Sequence, residues 1–577
     1  MGSVHNHSDV EVLPSDTVLV VGAGPVGLLS AIALANHGTP SVILERSYSA
    51  TRWPKMDLTT ARSLEIFRRL GLADELRKRG VPSHYPFTCL FSTGLHADQA
   101  LASWDLPSVD EARKAIDASN DGSQPAEPWQ RISQEIFEPW LRQQCVDNPL
   151  VDLRAGWEVK GAQEDAANVK VVVVHDGHEK LVQSGFAVAC DGANSVVRKD
   201  MKMELDGGPI PVKALLVHFK SRDLSRLHKQ GQFWHIFFPN EASAGGSVKG
   251  AIIGQDEIDT WTVHCFLPTD FDEAQLSSEQ AVYNVLGGMG EPYPIEIDQV
   301  LVRSTWTPSV GLARQYISAG GRVLLAGDAC HQMLPTGGYG MNTGLADAFD
   351  LGWKLAATVQ GWGGPKLLPS YDAERRPVGG LGVQWSKAHM HNLMVLPATV
   401  GLDAVTVADD STAGASMRAA FRDYIAHNDG HNQSIGVEMG YRYQSSICVV
   451  SELDRPNEES DFDPRRYVPT TRPGARAPVV RLSDGSSIFD RFGKGFTLLN
   501  FDSKNETASQ AFRSAAQLIP HLPLSIVELP DEGHAQSIWG ADLTLIRPDQ
   551  FVSWHSVGWK GDVQEAKKIL QAAVGYD

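Results

Sequence analysis

The chain alternates between short apolar runs and longer mixed stretches, and the runs fall into recognisable units. Thr17 to Val21 (TVLVV) is apolar and β-branched, which predicts a buried strand. The following LLSAIALANHG is rich in small apolar residues and stops at Gly38, which predicts a helix. SVILE is a second strand ending in Glu45, so the opening reads as a βαβ unit. From about Pro54 to Gly80 the pattern is helical, with Arg68, Arg69, Arg77, Lys78 and Arg79 forming a solvated face. Residues 108–127 are polar with Gly and Pro and read as a surface excursion. PWQRISQEIFEPWLRQQC predicts a helix with Gln134 near its start, and the segments from Val151 to Cys190 predict a strand meander. Residues 211–310 hold strands rich in Val, Ile, Phe and Trp, which predict a second, mostly antiparallel sheet, with a contribution from residues 80–105. RVLLAGDA is again a strand, and helices run from Leu355 to about Gly440.

The tail has a separate pattern. GFTLLNF, LSIVEL and the pair within LTLIRPDQFVSWHS predict strands; ASQAFRSAAQLIPHL and DVQEAKKILQAAV predict helices. This βαβββα order fits a small α/β domain of thioredoxin type. A Pro- and charge-rich stretch, residues 441–472, reads as the linker leading into a domain at 473–577.

Length and charge narrow the classes. At 577 residues the chain exceeds one core, and two or three domains are expected. The net charge of -18 disfavours nucleic acid and anionic lipid as partners. No apolar run is long enough to span a bilayer as a helix, and residues 1–15 read as a flexible lead without a signal core. The six cysteines include no CxxC pair, so neither a disulfide framework nor a metal site is expected, and a cytoplasmic setting follows.

The chemistry lies in three turns. Gly22-Ala23-Gly24-Pro25-Val26-Gly27 joins strand to helix. Gly22 permits the tight turn, Gly24 lets backbone approach a pyrophosphate, and Gly27 lets helix pack on strand. Glu45 ends the next strand where a carboxylate can accept from a ribose. Far along the chain, RVLLAGDACHQMLPTGGYGMNTG repeats the construction. Asp328 ends a strand and can hold a sugar hydroxyl, and beyond the turn at Gly338 the backbone N–H groups of Gly340, Met341 and Asn342 face a second negative centre. A third motif, CDGANSVVR, delivers Asp191 into a turn ahead of Arg198. One ligand spans such half-sites: FAD, with its adenine end on the first motif and its ring on the late turn.

On these three motifs, with DAFDLGWKLA after the last, the chain resembles the class A flavoprotein aromatic hydroxylases, and its tail resembles the thioredoxin-like extension of the phenol hydroxylase and aromatic polyketide hydroxylase branch. The resemblance implies α/β plus α+β architecture. A Rossmann-type FAD-binding domain (16–210 and 311–440) would interleave with an antiparallel-sheet substrate domain (211–310), followed by the thioredoxin-like domain. It implies a monooxygenase that uses NAD(P)H as a transient co-substrate and O2 to hydroxylate a phenolic or polyketide-derived ring through a flavin C4a-hydroperoxide. Glu45 would bind the adenosine ribose and Arg46 would lie near the pyrophosphate. Arg131 and Gln134 would contact the ribityl and phosphate part, while Asp191 and Arg198 would serve FAD and NAD(P)H. Asp328 would hold the ribityl hydroxyls, Pro335 would line flavin and substrate, and Met341-Asn342 would meet the pyrimidine edge.

Asp57 aligns with an acid that phenol hydroxylases place in the substrate pocket. In a dry site its pKa would rise, and it would serve as the base for a phenol; the other reading is a helix cap for LTTARSLEIF. His235 either faces the substrate or packs within its sheet, and Trp234 and Phe237 either line an aromatic pocket or fill the core. Tyr339 would stack near the flavin, and His331 is structural. The tail lacks cysteine, which leaves it packing, homodimer contact or shaping of the substrate cavity. Two alternatives stand beside hydroxylation: Baeyer–Villiger, epoxidising or dearomatising use of the same flavin chemistry, and a redox-inactive flavin-binding partner module.

Overall fold

The computed structural model describes residues 10–244, 248–444, 462–502 and 506–576. Five strands form a wholly parallel sheet in the order Val323–Leu325, Ala187–Ala189, Val18–Val21, Ser41–Glu45 and Val151–Ala155. Its central strands are buried along their length, which is why they read as continuous apolar runs. The helix Pro25–Asn36 crosses the late helix Tyr339–Val359 at backbone distance. A Cβ on Gly352 would come within 2.4 Å of Ala33 Cβ, and one on Gly344 within 2.6 Å of Val26 Cγ2. Only glycine allows these two helices to sit so close.

Strands Glu158–Glu164, Val169–His175 and His178–Ser184 form the meander. The lead predicted to be flexible through residue 15 is instead an edge strand at Val10–Val12, paired in parallel with Leu181–Gln183; residues 1–9 lie outside the described residues.

The second sheet has seven strands, in the order Gln299–Trp306, Val212–Lys220, Thr260–Pro268, Val248–Gly254, His235–Pro239, Cys89–Phe91 and Ala102–Trp104. It is antiparallel except where His235–Pro239 runs parallel to Cys89–Phe91. One face packs on the helix Ser278–Leu286 through Ile236, Phe238 and Ile252. The other, bearing Phe91, Trp104 and Phe237, meets Leu393, Leu396 and Phe421 from two long helices.

In the tail, strands Leu524–Glu528, Phe496–Asn500, Leu543–Ile546 and Val552–Ser556 form a mixed sheet. A helix at Gly533–Trp539 turns the predicted βαβββα order into βαβαββα, still the thioredoxin arrangement. Seven residues are two turns, too few to print a clear period. Of the predicted linker, Tyr441 and Tyr443 are buried against Phe551, and residues 445–461 lie outside the described residues.

Two polar stretches differ from expectation. Residues 108–127 contain a helix, Val109–Ala118, started by a capping box between Ser108 and Glu111. Of the arginines expected on a solvated face, Arg68 and Arg69 instead build a seam with the tail, and Arg77 is tied to residues 127–130. Arg68 pairs with Asp490 and Glu127, each at 2.8 Å; Arg77 pairs with Glu127 at 2.7 Å; Arg69 donates to the Phe492 carbonyl at 2.7 Å. Only Lys78 and Arg79 stay exposed, both on Glu75. No helix among the described residues is long and apolar enough to cross a membrane.

Candidate active site

The three turns leave the same edge of the parallel sheet. Val21, Ala189 and Leu325 end three adjacent parallel strands, and the chain passes from them into Gly22, Cys190-Asp191 and Gly327-Asp328. The crevice beyond the carboxyl ends of such strands is where dinucleotides bind in open α/β sheets.

The glycine turn is shaped for backbone approach. A Cβ on Gly27 would lie 2.0 Å from the Gly22 carbonyl oxygen, so this glycine serves packing. A Cβ on Gly24 would meet no protein atom within 4 Å, so this glycine faces open space. Pro25 occupies the first turn of the helix, whose start has no side-chain cap. Glu45 accepts from the Ala23 N–H at 2.7 Å and from the Ser47 N–H at 2.7 Å, which fixes its carboxylate beside the turn. Arg46 follows it and is exposed.

The late helix repeats the arrangement. Gly338, in the left-handed region at φ 65°, precedes it, and no side chain caps the helix. The first-turn N–H groups are therefore free for a ligand. Gly340 has no protein atom within 4 Å of where a Cβ would stand. Pro335 and Asp328 are exposed beside it. Asp328 is nevertheless enclosed: burial pushes its carboxyl above the usual range, against the pull of His331 and Lys55. An acid open to solvent-sized space but walled by protein suits a sugar hydroxyl. These open glycines, uncapped helix starts and the enclosed acid fit FAD.

Other predicted residues brace the groove. Asp191 accepts from the N–H groups of Val196 and Val197 at 2.8 and 3.2 Å, and its second oxygen is buried with no hydrogen-bond partner. Arg198 donates to the Ala329 carbonyl at 2.8 Å, tying the middle motif to the late turn. Gln134 donates to Glu138 at 2.9 Å. The Asn342 side chain accepts from Thr60 N–H and Ser63 Oγ at 3.0 and 2.7 Å, so only its backbone faces outward, while Met341 packs on the first core. His331 Nε2 donates to Asp347 Oδ2 at 2.7 Å, and Arg375 Nε donates to the other oxygen at 2.8 Å. Cys330, His331 and Asp347 have metal-like proximity, but Arg375 already claims that carboxylate.

Two side chains point elsewhere than expected. The Arg131 guanidinium is buried, paired with Glu257, bonded to the Gly254 carbonyl at 2.6 Å, and set over the Phe87 and Trp234 rings. Its guanidinium rests on the second sheet, and its Nε is buried without a hydrogen-bond partner. The Tyr339 hydroxyl bonds His389 Nε2 at 2.8 Å in a buried setting, so its ring is turned onto the helix Leu367–Val400.

Above the groove, Asp57 meets the second sheet. Trp234 donates its indole N–H to Asp57 Oδ2 at 2.6 Å, and His235 Nε2 lies 3.4 Å from the same oxygen. The expected rise in the Asp57 pKa is reversed. Burial does push it up, but the His235 contact, the Trp234 N–H and the Arg131 charge outweigh that and hold the carboxyl below its usual range. Asp57 is therefore ionised, and it is not a helix cap: the helix Ala61–Arg69 begins after Thr60. Its partner Trp234 belongs to a buried apolar cluster with Leu58, Phe87, Phe91, Trp104 and Phe237. Three further histidines approach this site, His264, His389 and His431. Of these only His264 had a sequence signal, its alternation in TWTVHCF.

The chain matches the family described as "FAD binding domain" over residues 15–386 and the one described as "Aromatic-ring hydroxylase, C-terminal" over residues 470–576. It is 57% identical to the FAD-dependent monooxygenase apdD of Emericella nidulans, over 98% of this chain and 91% of that protein. It is 29% identical to a 4-methyl-5-nitrocatechol 5-monooxygenase of a Burkholderia species, over 95% and 94%. Among solved structures, the flavin-dependent monooxygenase PieE in complex with FAD and substrate superimposes with a TM-score of 0.85 at 27% identity, covering 97% of this chain and 99% of that one.

Proposed function

The chain belongs to the FAD-dependent monooxygenases that join an FAD-binding domain to an aromatic-ring hydroxylase C-terminal domain, and from that premise we propose that it uses NAD(P)H and O2 to hydroxylate a phenolic or polyketide-derived aromatic ring. FAD is its cofactor. When bound, FAD supplies the redox chemistry, accepting a hydride equivalent and activating O2.

The observation that carries the reading is the Trp234–Asp57–His235 arrangement inside an aromatic lining. A ring takes up electrophilic oxygen more readily once its hydroxyl gives up a proton. A free phenol titrates near ~10, so a base is needed at neutral pH. Asp57, held ionised, accepts from His235 Nε2; that leaves His235 Nδ1 as the bare nitrogen, and Nδ1 is buried without a protein partner. His235 Nδ1 takes the hydroxyl proton, and Asp57 orients the ring and balances its charge. Trp234 fixes Asp57 in turn. The apolar walls exclude water from the reacting centre. The catechol ring in the Burkholderia relative's name agrees with a hydroxylated aromatic substrate.

The test is anaerobic. Purified holoenzyme is mixed with NADH or NADPH and a panel of phenols, hydroxyquinones and polyketide aromatics, while bleaching of the visible flavin band is followed. One compound should accelerate bleaching and, after air is admitted, gain one oxygen atom. A flavin band that no pyridine nucleotide bleaches under any condition would overturn the proposal.

A further inference from the structure

Glu257 stands in the left-handed backbone region at φ 62°, where a residue with a side chain is uncommon. The turn that puts it there is wound on its neighbour. Asp256 Oδ1 accepts from the N–H groups of Ile258, Asp259 and Thr260 at 3.0, 3.1 and 3.0 Å, and Oδ2 accepts from the Thr260 hydroxyl at 2.6 Å. Glycine would take this conformation without strain, yet the position carries an acid. The turn delivers that acid to a buried cation. The Glu257 carboxylate pairs with Arg131 Nη1, and the two side chains are 2% and 1% exposed. Its other oxygen accepts from Gln232 Nε2, two residues ahead of Trp234. Burial pushes the Glu257 carboxyl up, and the Arg131 charge opposes it.

Arg131 meets the Asp57–His235 pair through backbone and side chain. Leu58 pairs with Arg131 in the short ladder beside Asp57, and the Ile132 N–H donates to the Asp57 carbonyl at 3.0 Å. The guanidinium lies 5.4 Å from the centroid of the Trp234 ring, and Trp234 is the donor to Asp57. The Gly254 carbonyl accepts from Arg131 Nη2 at 2.6 Å, while the Gly254 N–H donates to the Trp234 carbonyl at 2.9 Å. The other titratable groups that face the pair carry no charge near neutral pH. Burial lowers His264 to about 4 and His431 to about 3, and it raises the Cys89 thiol. That leaves Arg131 as the cation that bears on Asp57, and Glu257 as the group that balances it.

We propose that Glu257 is a positioning residue for the reaction: it orients and partly neutralises Arg131, and through Arg131 it sets how readily the Asp57–His235 pair takes the hydroxyl proton of the substrate. A bare guanidinium against Trp234 and Asp57 would make the pair a poorer base, and a site without the guanidinium would let the pair hold a proton before the substrate arrives. Glu257 keeps it between these extremes. This rests on the base reading of Asp57 and His235 above and adds to it the residues that tune the base.

The experiment is a pH profile of kcat/KM for the FAD-loaded enzyme. The probes are phenol, 4-methylcatechol, 2-naphthol and 2,7-dihydroxynaphthalene, and the profile uses the one that the wild type hydroxylates fastest. Glu257→Gln keeps the size and shape of the side chain and leaves the Arg131 charge unbalanced, so the acidic limb should move to lower pH by roughly half a unit or more. Arg131→Met removes the cation, and the enclosed Glu257 then takes up a proton rather than stay charged, so the limb should move to higher pH. Arg131→Lys keeps the charge and should return the limb toward the wild type. A pair that served packing alone would lower kcat or FAD content without moving the limb in opposite directions. FAD content of each variant reports its folding, and if Glu257→Gln loads no FAD the comparison of Arg131→Lys with Arg131→Met decides. A limb that stays in place in Glu257→Gln, or that coincides in the two Arg131 variants, would overturn the inference and leave the hydroxylase reading standing. A wild type that hydroxylates none of the four probes would overturn the aromatic-substrate reading and this inference together.

Discussion

Trp234 donates its indole N–H to Asp57 at 2.6 Å, a bond between the residue just ahead of the strand His235–Pro239 and the loop that follows the strand Ser41–Glu45. It fixes the carboxylate that orients His235 and helps hold Asp57 ionised. Trp234→Phe keeps the aromatic packing and removes this donor. With one N–H fewer on the carboxylate, the Asp57 pKa climbs back toward its ordinary value, so the acidic limb of kcat/KM moves to higher pH. The expected loss in kcat/KM at neutral pH is roughly tenfold, with product formed per NAD(P)H oxidised falling too. Asp57→Asn should cost roughly a hundredfold and flatten that limb. A profile that does not move in Trp234→Phe would sink the orienting role.

Two glycines three residues apart should respond in opposite ways. Gly24→Ala meets no protein atom within 4 Å, so the apoprotein should fold with an unchanged Tm. The added methyl instead occupies the space open to a pyrophosphate, and FAD affinity should fall by roughly tenfold or more. Gly27→Ala drives a methyl to 2.0 Å from the Gly22 carbonyl oxygen, so it should lower Tm and expression of the apoprotein itself. Thermal unfolding of both apoproteins, with FAD titrations alongside, separates the two roles.

The nucleotide turn was legible because its chemistry is local: strand, glycines, helix and Glu45 fall within one contiguous stretch, and so does the late turn around Asp328. The partners of Asp57 were not legible, because Trp234 and His235 lie 177 and 178 residues away and only sheet register brings them near. That distance also inverted the expected pKa shift. Burial alone raises an acid, and the opposing groups were invisible in the sequence. Arg68 and Arg77 were misread for a related reason, since a charged run looks the same on a solvated face and in a seam where each charge has a partner. Tyr339 sits in the motif, but its direction is set by His389, fifty residues on.

Glu438 gives a pH test of stability. Its carboxyl is buried, and burial raises its pKa to about 8 against the pull of the Trp129 side chain and the Ala61 N–H. Between the ordinary carboxylate range and about 8 the folded state keeps a proton that the unfolded state has lost. Stability therefore declines as pH rises through that window and levels off above it. Glu438→Gln removes the titration. The variant should match the wild type near pH ~4 and exceed it by a few degrees in Tm near pH ~8, the difference growing steadily between. Parallel melting curves across that range would expose an absent slope.

The tail is held by a buried ionic cluster, and breaking it should cost more than any surface pair. Arg547 bonds both oxygens of Glu374 at 2.8 and 2.7 Å, Asp350 at 3.1 Å and Asp549 at 2.6 Å, and Lys354 joins Glu374 and Asp350 at 2.6 and 2.8 Å. Asp350 and Lys354 belong to the helix that starts at the late turn and Glu374 to the helix Leu367–Val400, whereas Arg547 and Asp549 belong to the tail. Arg547→Met leaves three enclosed carboxylates facing one lysine, and the cost should be about 3–5 kcal/mol. The exposed Arg481–Asp117 pair at 3.1 Å is the control, and Arg481→Met should stay within about 0.5 kcal/mol of wild type. Urea unfolding of both variants checks the contrast. Because the cluster reaches the helix of the late turn, Arg547→Met should also weaken FAD retention, whereas Arg481→Met should not. Equal unfolding midpoints for the two variants would mean that the cluster does not hold the tail, and that the packing of Phe496 on Trp353 and the Arg68 and Arg69 seam do so instead.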